Sequence, residues 1–189
     1  MSREDKARWN NKYRNNPAPT NVVEVVEKYA KFATGNRALD IASGMGRNSK
    51  FLAKNAFVVD ALDISSIAIE KLQDIENINA IEVDFDTYTL KKNSYDLIVC
   101  TYYLNRDLFP QIENALKENG IFIFETFVHH PDNSKVPSNK SFLLNEGEMK
   151  ATFDGRYELL YIREFMEEGL CGEKSRRASM VAKKINIIN

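Results

Sequence analysis

A chain of 189 residues with 43% hydrophobic and 11% aromatic side chains can bury one α/β core and is too short for two ordinary domains. Its formal net charge of −1 excludes a global basic field for nucleic acid and a strongly acidic tail. The two cysteines, Cys100 and Cys171, give neither a disulfide framework nor paired metal spacing, so reduced thiols, no metal and a cytoplasmic location are expected. The N-terminal MSREDKARWNNKY is too charged for a secretory signal, and no apolar run reaches the roughly 18 residues of a membrane span.

Arg3–Asn15 reads as a polar helix with Trp9 and Tyr13 on one face, ended by Pro17-Ala18-Pro19. Asn21-x-x-Glu24 resembles a capping box and opens a helix whose buried stripe is Val22, Val26, Tyr29 and Ala33. Gly35-Asn36 stops it. A strand Arg37–Ala42, helix Arg47–Asn55, strand Phe57–Leu62, helix Ser66–Ile75 and short strand Ala80–Val83 follow. Strand Tyr95–Cys100, helix Asp107–Lys117, an Asn119-Gly120 stop and strand Ile121–Phe127 complete five β/α units. The strands are continuous apolar runs, as in a parallel sheet covered on both faces, and their alternation with helices predicts a doubly wound α/β fold.

After Phe127 the pattern changes. His129–Ser141 is a polar loop broken by Pro131 and Pro137, and Asn145-x-x-Glu148 caps a short helix. Tyr157–Phe165 and Ala178–Ile185 read as an antiparallel hairpin joined by the charged turn Glu167–Arg177. The expected division is one domain: N-terminal helices at 1–34, a ligand-binding core at 35–127, and a substrate loop with the terminal hairpin at 128–189.

The chemistry points to Arg37–Leu52, RALDIASGMGRNSKFL. A strand ending in Ser43-Gly44-Met45-Gly46 can turn sharply and let a ligand approach the backbone. The helix that follows aims free N–H groups over the loop. Asp63 ends the next apolar run, placed to accept hydrogen bonds from both hydroxyls of a ribose. A dinucleotide fingerprint needs a third glycine where Ser49 stands, so no pyrophosphate cradle is expected.

The segment resembles motif I, D/E-x-G-x-G-x-G, of class I S-adenosylmethionine-dependent methyltransferases. Asp40, Gly44 and Gly46 match it, and Ala42 replaces the first glycine. The resemblance implies a seven-stranded, Rossmann-like sheet whose last two strands form the hairpin. It also implies S-adenosylmethionine as cofactor, with Asp40 helping to position the methionine amino group and Asp63 binding ribose. Asp84-Phe85 resembles the pair that recognises adenine, and Tyr95–Cys100 resembles motif IV. Ile64 and Cys100 join the implied cofactor residues, and Trp9 and Tyr13 resemble a lid. More narrowly, Gly46-Arg47-Asn48, Tyr102-Tyr103-Leu104-x-Arg106 with Phe109-Pro110, and Phe142-Leu143-Leu144-x-x-x-Glu148 are similar to small methyltransferases of the tellurite-resistance type.

Methyl transfer from a sulfonium is an in-line displacement for which orientation supplies much of the rate, and a base is needed only for a protonated acceptor. Acceptor-side candidates are Tyr102, Tyr103, Arg106, His129 and His130. Arg106 could clamp an anionic acceptor; the alternative is a surface ion pair. One of Tyr102 and Tyr103 is expected in the core. His129 and His130 are adjacent and cannot face one way in an extended segment. Lys174, Arg176 and Arg177 read as a solvated turn. A small-molecule methyltransferase is the favoured function, with no nucleic-acid or membrane partner expected. A cofactor-binding module without turnover is the alternative, and a nicotinamide-dependent oxidoreductase is disfavoured.

Overall fold

The computed structural model describes residues 3–16, 19–169 and 171–185. Its strands are β1 (Arg37–Ile41), β2 (Val58–Asp63), β3 (Ile78–Glu82), β4 (Tyr95–Thr101), β5 (Leu116–Phe127), β6 (Tyr157–Glu168) and β7 (Lys174–Lys184). They form one seven-stranded sheet in the order β3-β2-β1-β4-β5-β7-β6. Strands β1 to β5 pair in parallel, whereas β7 runs antiparallel to both β5 and β6. The α-helices are α1 (Arg3–Asn15), α2 (Glu24–Tyr29), α3 (Arg47–Lys54), α4 (Ser66–Glu70), α5 (Phe109–Ala115) and α6 (Glu148–Phe153). None is long and apolar enough to cross a membrane.

The apolar runs are buried on both faces because a pleated strand sends alternate side chains to opposite sides. Leu39, Ile41, Ile98, Phe122 and Phe124 share one core with Ile112 of α5 and Phe153 of α6. Ala38, Leu97, Val99, Ile121 and Ile123 share the other with Val26 of α2 and Leu52 of α3. The strand order reverses between β1 and β4. In an open α/β sheet that reversal leaves a crevice at the carboxyl ends of the two strands.

Several boundaries differ from the sequence expectation, each for a local reason. No side chain caps α2, which starts at Glu24 with Val23 before it. Instead of an Asn21 cap, the Val23 N–H donates to Asn48 Oδ1 at 3.1 Å. The buried stripe is Val23, Val25, Val26 and Ala30, while Val22, Tyr29 and Ala33 are half-buried. Helix α4 ends at Glu70 rather than Ile75. The chain then turns, with Asp74 at φ +64°. Leu72 is thereby buried under Gly46, where a Cβ would come within 2.3 Å of its methyl group. Helix α5 is shorter than expected because Leu116 already pairs with Tyr95. Asn119, at φ +60°, therefore lies inside β5 rather than after a helix.

The hairpin strands extend further toward their turn than expected. Arg176 and Arg177 pair with Met166 and Phe165 within the sheet, so the basic cluster is not a solvated turn. Half of the second capping box forms: Glu148 accepts from the Asn145 N–H at 2.8 Å. Gly147, at φ +74°, is the residue that precedes α6. Pro17 and Ala18, expected to end α1, and Leu170 in the hairpin turn lie outside the described residues.

Candidate cofactor and acceptor site

The chain leaves β1 through three left-handed residues, Ala42 (φ +54°), Gly44 (φ +53°) and Gly46 (φ +76°). The Ser43 N–H is anchored on Leu62 O at 2.9 Å, and the Gly46 N–H on Ser43 O at 3.0 Å. Asp63 joins this loop to the tip of β2. Its Oδ2 accepts from the Gly44 N–H and its Oδ1 from the Ser65 N–H, both at 2.8 Å. Burial raises the Asp63 pKa, and the amide donors oppose that shift. A carboxylate has about four lone-pair sites, so two amides leave capacity for ribose hydroxyls.

Asp40 lies beneath the loop, 1% exposed, accepting from Ser49 Oγ at 2.5 Å. Burial pushes its carboxyl up to about 7, against the opposing pull of Ser49 and Arg47. In this arrangement Asp40 supports the loop from below.

Helix α1 closes over the opposite side. The Tyr13 hydroxyl lies 2.7 Å from where a Cβ on Gly44 would stand. Asn10 fixes the helix at the start of α4: its Oδ1 accepts from Ser65 Oγ at 2.6 Å and its Nδ2 donates to Ser66 Oγ at 3.1 Å. Lys6 pairs with Glu82 at the end of β3. Trp9 stacks on Tyr13 at 5.5 Å, and the Lys12 ammonium lies 4.3 Å from its ring centroid. The cation-attracting ring of Trp9 thus serves the helix itself, and Tyr13 is the residue that reaches the loop. Beyond Asp63, Ile64 is buried, and Phe85 is buried against the ring of Tyr103. Asp84 is half-buried, and the Asp86 N–H holds its carboxylate below the usual range. Cys100 sits in the core, where burial pushes its thiol up.

Across β1, the end of β4 carries a polar cluster. Tyr102 sits at φ +59°, held by its N–H donating to Glu125 O at 2.7 Å. Its hydroxyl donates to Glu125 Oε1 at 2.6 Å and accepts from Arg177 Nη1 at 2.9 Å. Burial, then the Glu125 charge, push the phenol above its usual range. Ser179 Oγ donates to the other Glu125 oxygen. The Arg47 and Arg177 guanidinium groups lie 4.9 and 5.0 Å from the Tyr102 ring centroid. The sequence reading missed Glu125 and Arg177. The available signal was a lone acid within the apolar run Ile121–Phe127.

Arg106 is no acceptor clamp. It makes a two-pronged pair with Glu148 at 2.6 and 3.0 Å and donates to the carbonyls of Ser141 and Leu143. Four of its five N–H donors are spent on the first residue of α6 and the loop before it. His129 is exposed, and its side chain has no hydrogen-bond partner among the described residues. His130 is engaged locally, accepting from the Asp132 N–H at 3.2 Å. Among the described residues no cluster of three His, Cys, Asp or Glu could hold a metal.

A family model described as the tellurite resistance protein TehB matches residues 1–180. The chain belongs to the TehB family. A probable S-adenosyl-L-methionine-dependent methyltransferase TehB from Haemophilus influenzae is 29% identical over 150 residues, 74% of this chain and 52% of that protein. The crystal structure of Haemophilus influenzae TehB superposes with a TM-score of 0.75 at 25% identity, covering 95% of this chain and 66% of that one. A tRNA (uracil(54)-C(5))-methyltransferase of Pyrococcus horikoshii is 32% identical over 80 residues, 41% of this chain and 20% of that protein. The chain thus spans about half the length of the curated TehB and about a fifth of the tRNA enzyme.

TehB belongs to the class I S-adenosylmethionine-dependent methyltransferases, and the residues of this loop fit that cofactor. The Ser43 hydroxyl is buried with no hydrogen-bond partner among the described residues, and buried polar groups are normally satisfied. A polar ligand in the loop would satisfy it. Gly44 keeps its upper face free of any side chain of its own, and Asp63 faces the same loop with unused lone pairs.

Proposed function

We propose that this TehB-family chain transfers the methyl group of S-adenosylmethionine to a small-molecule acceptor. The observation that carries the reading is Asp63, fixed by the amides of Gly44 and Ser65 at the tip of β2 and beside a glycine loop. Asp63 would hold the ribose, Ile64 and Phe85 would flank the adenine, and Asp84 would take its exocyclic amine. When bound, S-adenosylmethionine supplies an electrophilic methyl carbon on a cationic sulfur. The chain then has to orient an acceptor in line with it and exclude water. The acceptor side is assigned to Tyr102, Glu125 and Arg177, whose fixed polar groups suit a small polar molecule. The net charge of −1 gives no field for a nucleic-acid substrate.

The test is calorimetric titration with S-adenosylhomocysteine and with NAD, followed by transfer of isotope-labelled methyl to a panel of thiol, amine, hydroxyl and chalcogen-oxyanion acceptors. Binding of S-adenosylhomocysteine with labelled product is expected. Binding of NAD alone would overturn the cofactor assignment, and binding without any labelled product would favour a module that does not turn over.

A further inference from the structure

Four carboxylates are buried among the described residues: Asp40, Asp60, Asp63 and Glu125. Asp40 and Asp63 belong to the glycine loop, and Asp60 is matched by Arg37 and Lys91. Glu125, 5% exposed, stands apart from these. It lies near the carboxyl end of β5, opposite Thr101 of β4 and Ser179 of β7. An unbroken antiparallel ladder from Ile121 to Phe127 already joins β5 to β7, so the sheet does not need a buried charge there. Apolar residues of similar size often fill such places with no loss of stability.

What Glu125 does hold is Tyr102. Its carbonyl accepts the Tyr102 N–H, and its Oε1 accepts the phenol hydrogen. The left-handed backbone of Tyr102 is rare for a bulky residue. Strain of this kind persists only where the surroundings enforce it, and it concentrates at functional sites. Tyr102 is half-buried and so is the outer member of the pair. Its ring meets the glycine loop through Arg47, the residue after Gly46, at 4.9 Å. The phenol oxygen donates to Glu125 and accepts from Arg177, which leaves one lone pair for an incoming donor. The charged groups around the pair are Arg47 of α3, Arg177 of β7 and Glu167 of β6, with Arg177 shared between Glu125 and Glu167.

We infer that Tyr102 and Glu125 form a proton relay for the acceptor, which therefore attacks through an N–H, O–H or S–H group. This rests on the acceptor-side assignment above. As the acceptor's lone pair bonds to the methyl carbon, the pair of the broken C–S bond stays on sulfur. The acceptor's proton passes to the phenol oxygen while the phenol's own proton passes to Glu125 Oε1. The charges of the sulfonium and the carboxylate are cancelled together, and the carboxyl returns its proton through Tyr102 to water. Burial holds the phenol above its usual range, so it keeps its proton until the acceptor delivers another.

The experiment offers the full chain two kinds of probe with isotope-labelled S-adenosylmethionine. 2-Mercaptoethanol, benzylamine and phenol must lose a proton; selenite and dimethyl selenide attack through a lone pair that carries none. Wild type should methylate at least one of the first three. With that probe, Tyr102→Phe and Glu125→Gln should each lower kcat about a hundredfold or more, the range of general acid–base catalysis, and change KM less than about threefold. Calorimetry should show S-adenosylhomocysteine affinity unchanged in both. Tyr102→Phe keeps the ring that Arg47 and Arg177 face, and Glu125→Asp should recover part of the rate. The wild-type rate should fall as acid protonates the carboxylate, and that limb should vanish in Glu125→Gln. Raising the pH until the probe ionises by itself should bring both variants back toward wild type. Transfer to selenite or dimethyl selenide alone overturns the relay, as does a loss confined to KM or one that no pH restores. S-adenosylhomocysteine binding without transfer to any probe overturns the methyltransferase reading beneath it, a different outcome.

Discussion

Asp63 has two duties, and its substitution should show both. Asp63→Ala removes the acceptor for ribose and leaves the Gly44 and Ser65 amides without the carboxylate they donate to. A buried donor left unsatisfied costs about 1–3 kcal/mol. The variant should therefore lose about a hundredfold in S-adenosylhomocysteine affinity by calorimetry and also melt several degrees lower. An unchanged melting temperature would show that the two amides find other partners. Ala42 offers the opposite case. It stands at φ +54°, a region that disfavours a residue with a Cβ by about 1–2 kcal/mol. Ala42→Gly should therefore stabilise the chain by up to about 1 kcal/mol after the entropy of glycine is set against it, measured by denaturant unfolding. The sequence identified the position as a departure from motif I, but only the backbone angle shows that the departure is strained.

Asp40 gives a pH signature. Burial pushes its carboxyl up to about 7, from an ordinary value of 3.8, so the folded state holds the proton more tightly. Its contribution to stability is full below about pH 4 and is lost as pH rises through 7. Asp40→Asn retains an oxygen to accept from Ser49 and has no charge to bury. It should melt above wild type at pH 8, and the difference should shrink on titration toward pH 4. A difference independent of pH would assign Asp40 a different ionisation.

At the scale of elements, α1 behaves as a cover fixed at few points. Asn10 grips the start of α4, Lys6 holds the end of β3, and Tyr13 stands over Gly44. Asn10→Ala should loosen the cover without touching the loop, raising amide exchange across residues 3–16. Because Trp9, the single tryptophan, stacks on Tyr13, its fluorescence should change when cofactor displaces the Tyr13 hydroxyl. Exchange rates and emission that ignore both changes would make α1 a static part of the fold. The helix itself was legible from its polar run with two aromatics four residues apart. Its attachment was not, because Asn10 is one of several asparagines and nothing local marks its partners.

Arg106 shows the same limit. A charged residue after β4 suggested a ligand clamp, yet its partners Ser141, Leu143 and Glu148 lie across a loop whose path no local pattern reveals. Arg106→Met should lower the melting temperature and leave S-adenosylhomocysteine affinity unchanged, since the lost contacts all brace the start of α6 and the segment before it.

For the whole molecule, the continuous apolar runs were enough to call a parallel sheet buried on both faces, and the late alternation was enough to call a hairpin. The glycine loop and Asp63 were found because each sits at a strand end, where a short pattern has a defined structural meaning. The Tyr102–Glu125–Arg177 cluster was not, because it assembles the residue after β4 with one from β5 and one from β7, neighbours only in the finished sheet.

The antiparallel insertion of β7 has consequences for synthesis. β6 is made before β7, yet its place in the sheet is next to β7 and not next to β5. Until residues 174–184 leave the ribosome, β5 keeps a bare edge along Ile121–Phe127, a segment whose side chains are largely buried in the folded state. Open, apolar strand edges are templates for pairing with other chains. The nascent protein therefore passes through its most aggregation-prone state late in translation, and a stall before residue 174 would prolong that state. Ribosome-bound chains arrested there should recruit holding chaperones strongly, and chains released after residue 184 should not.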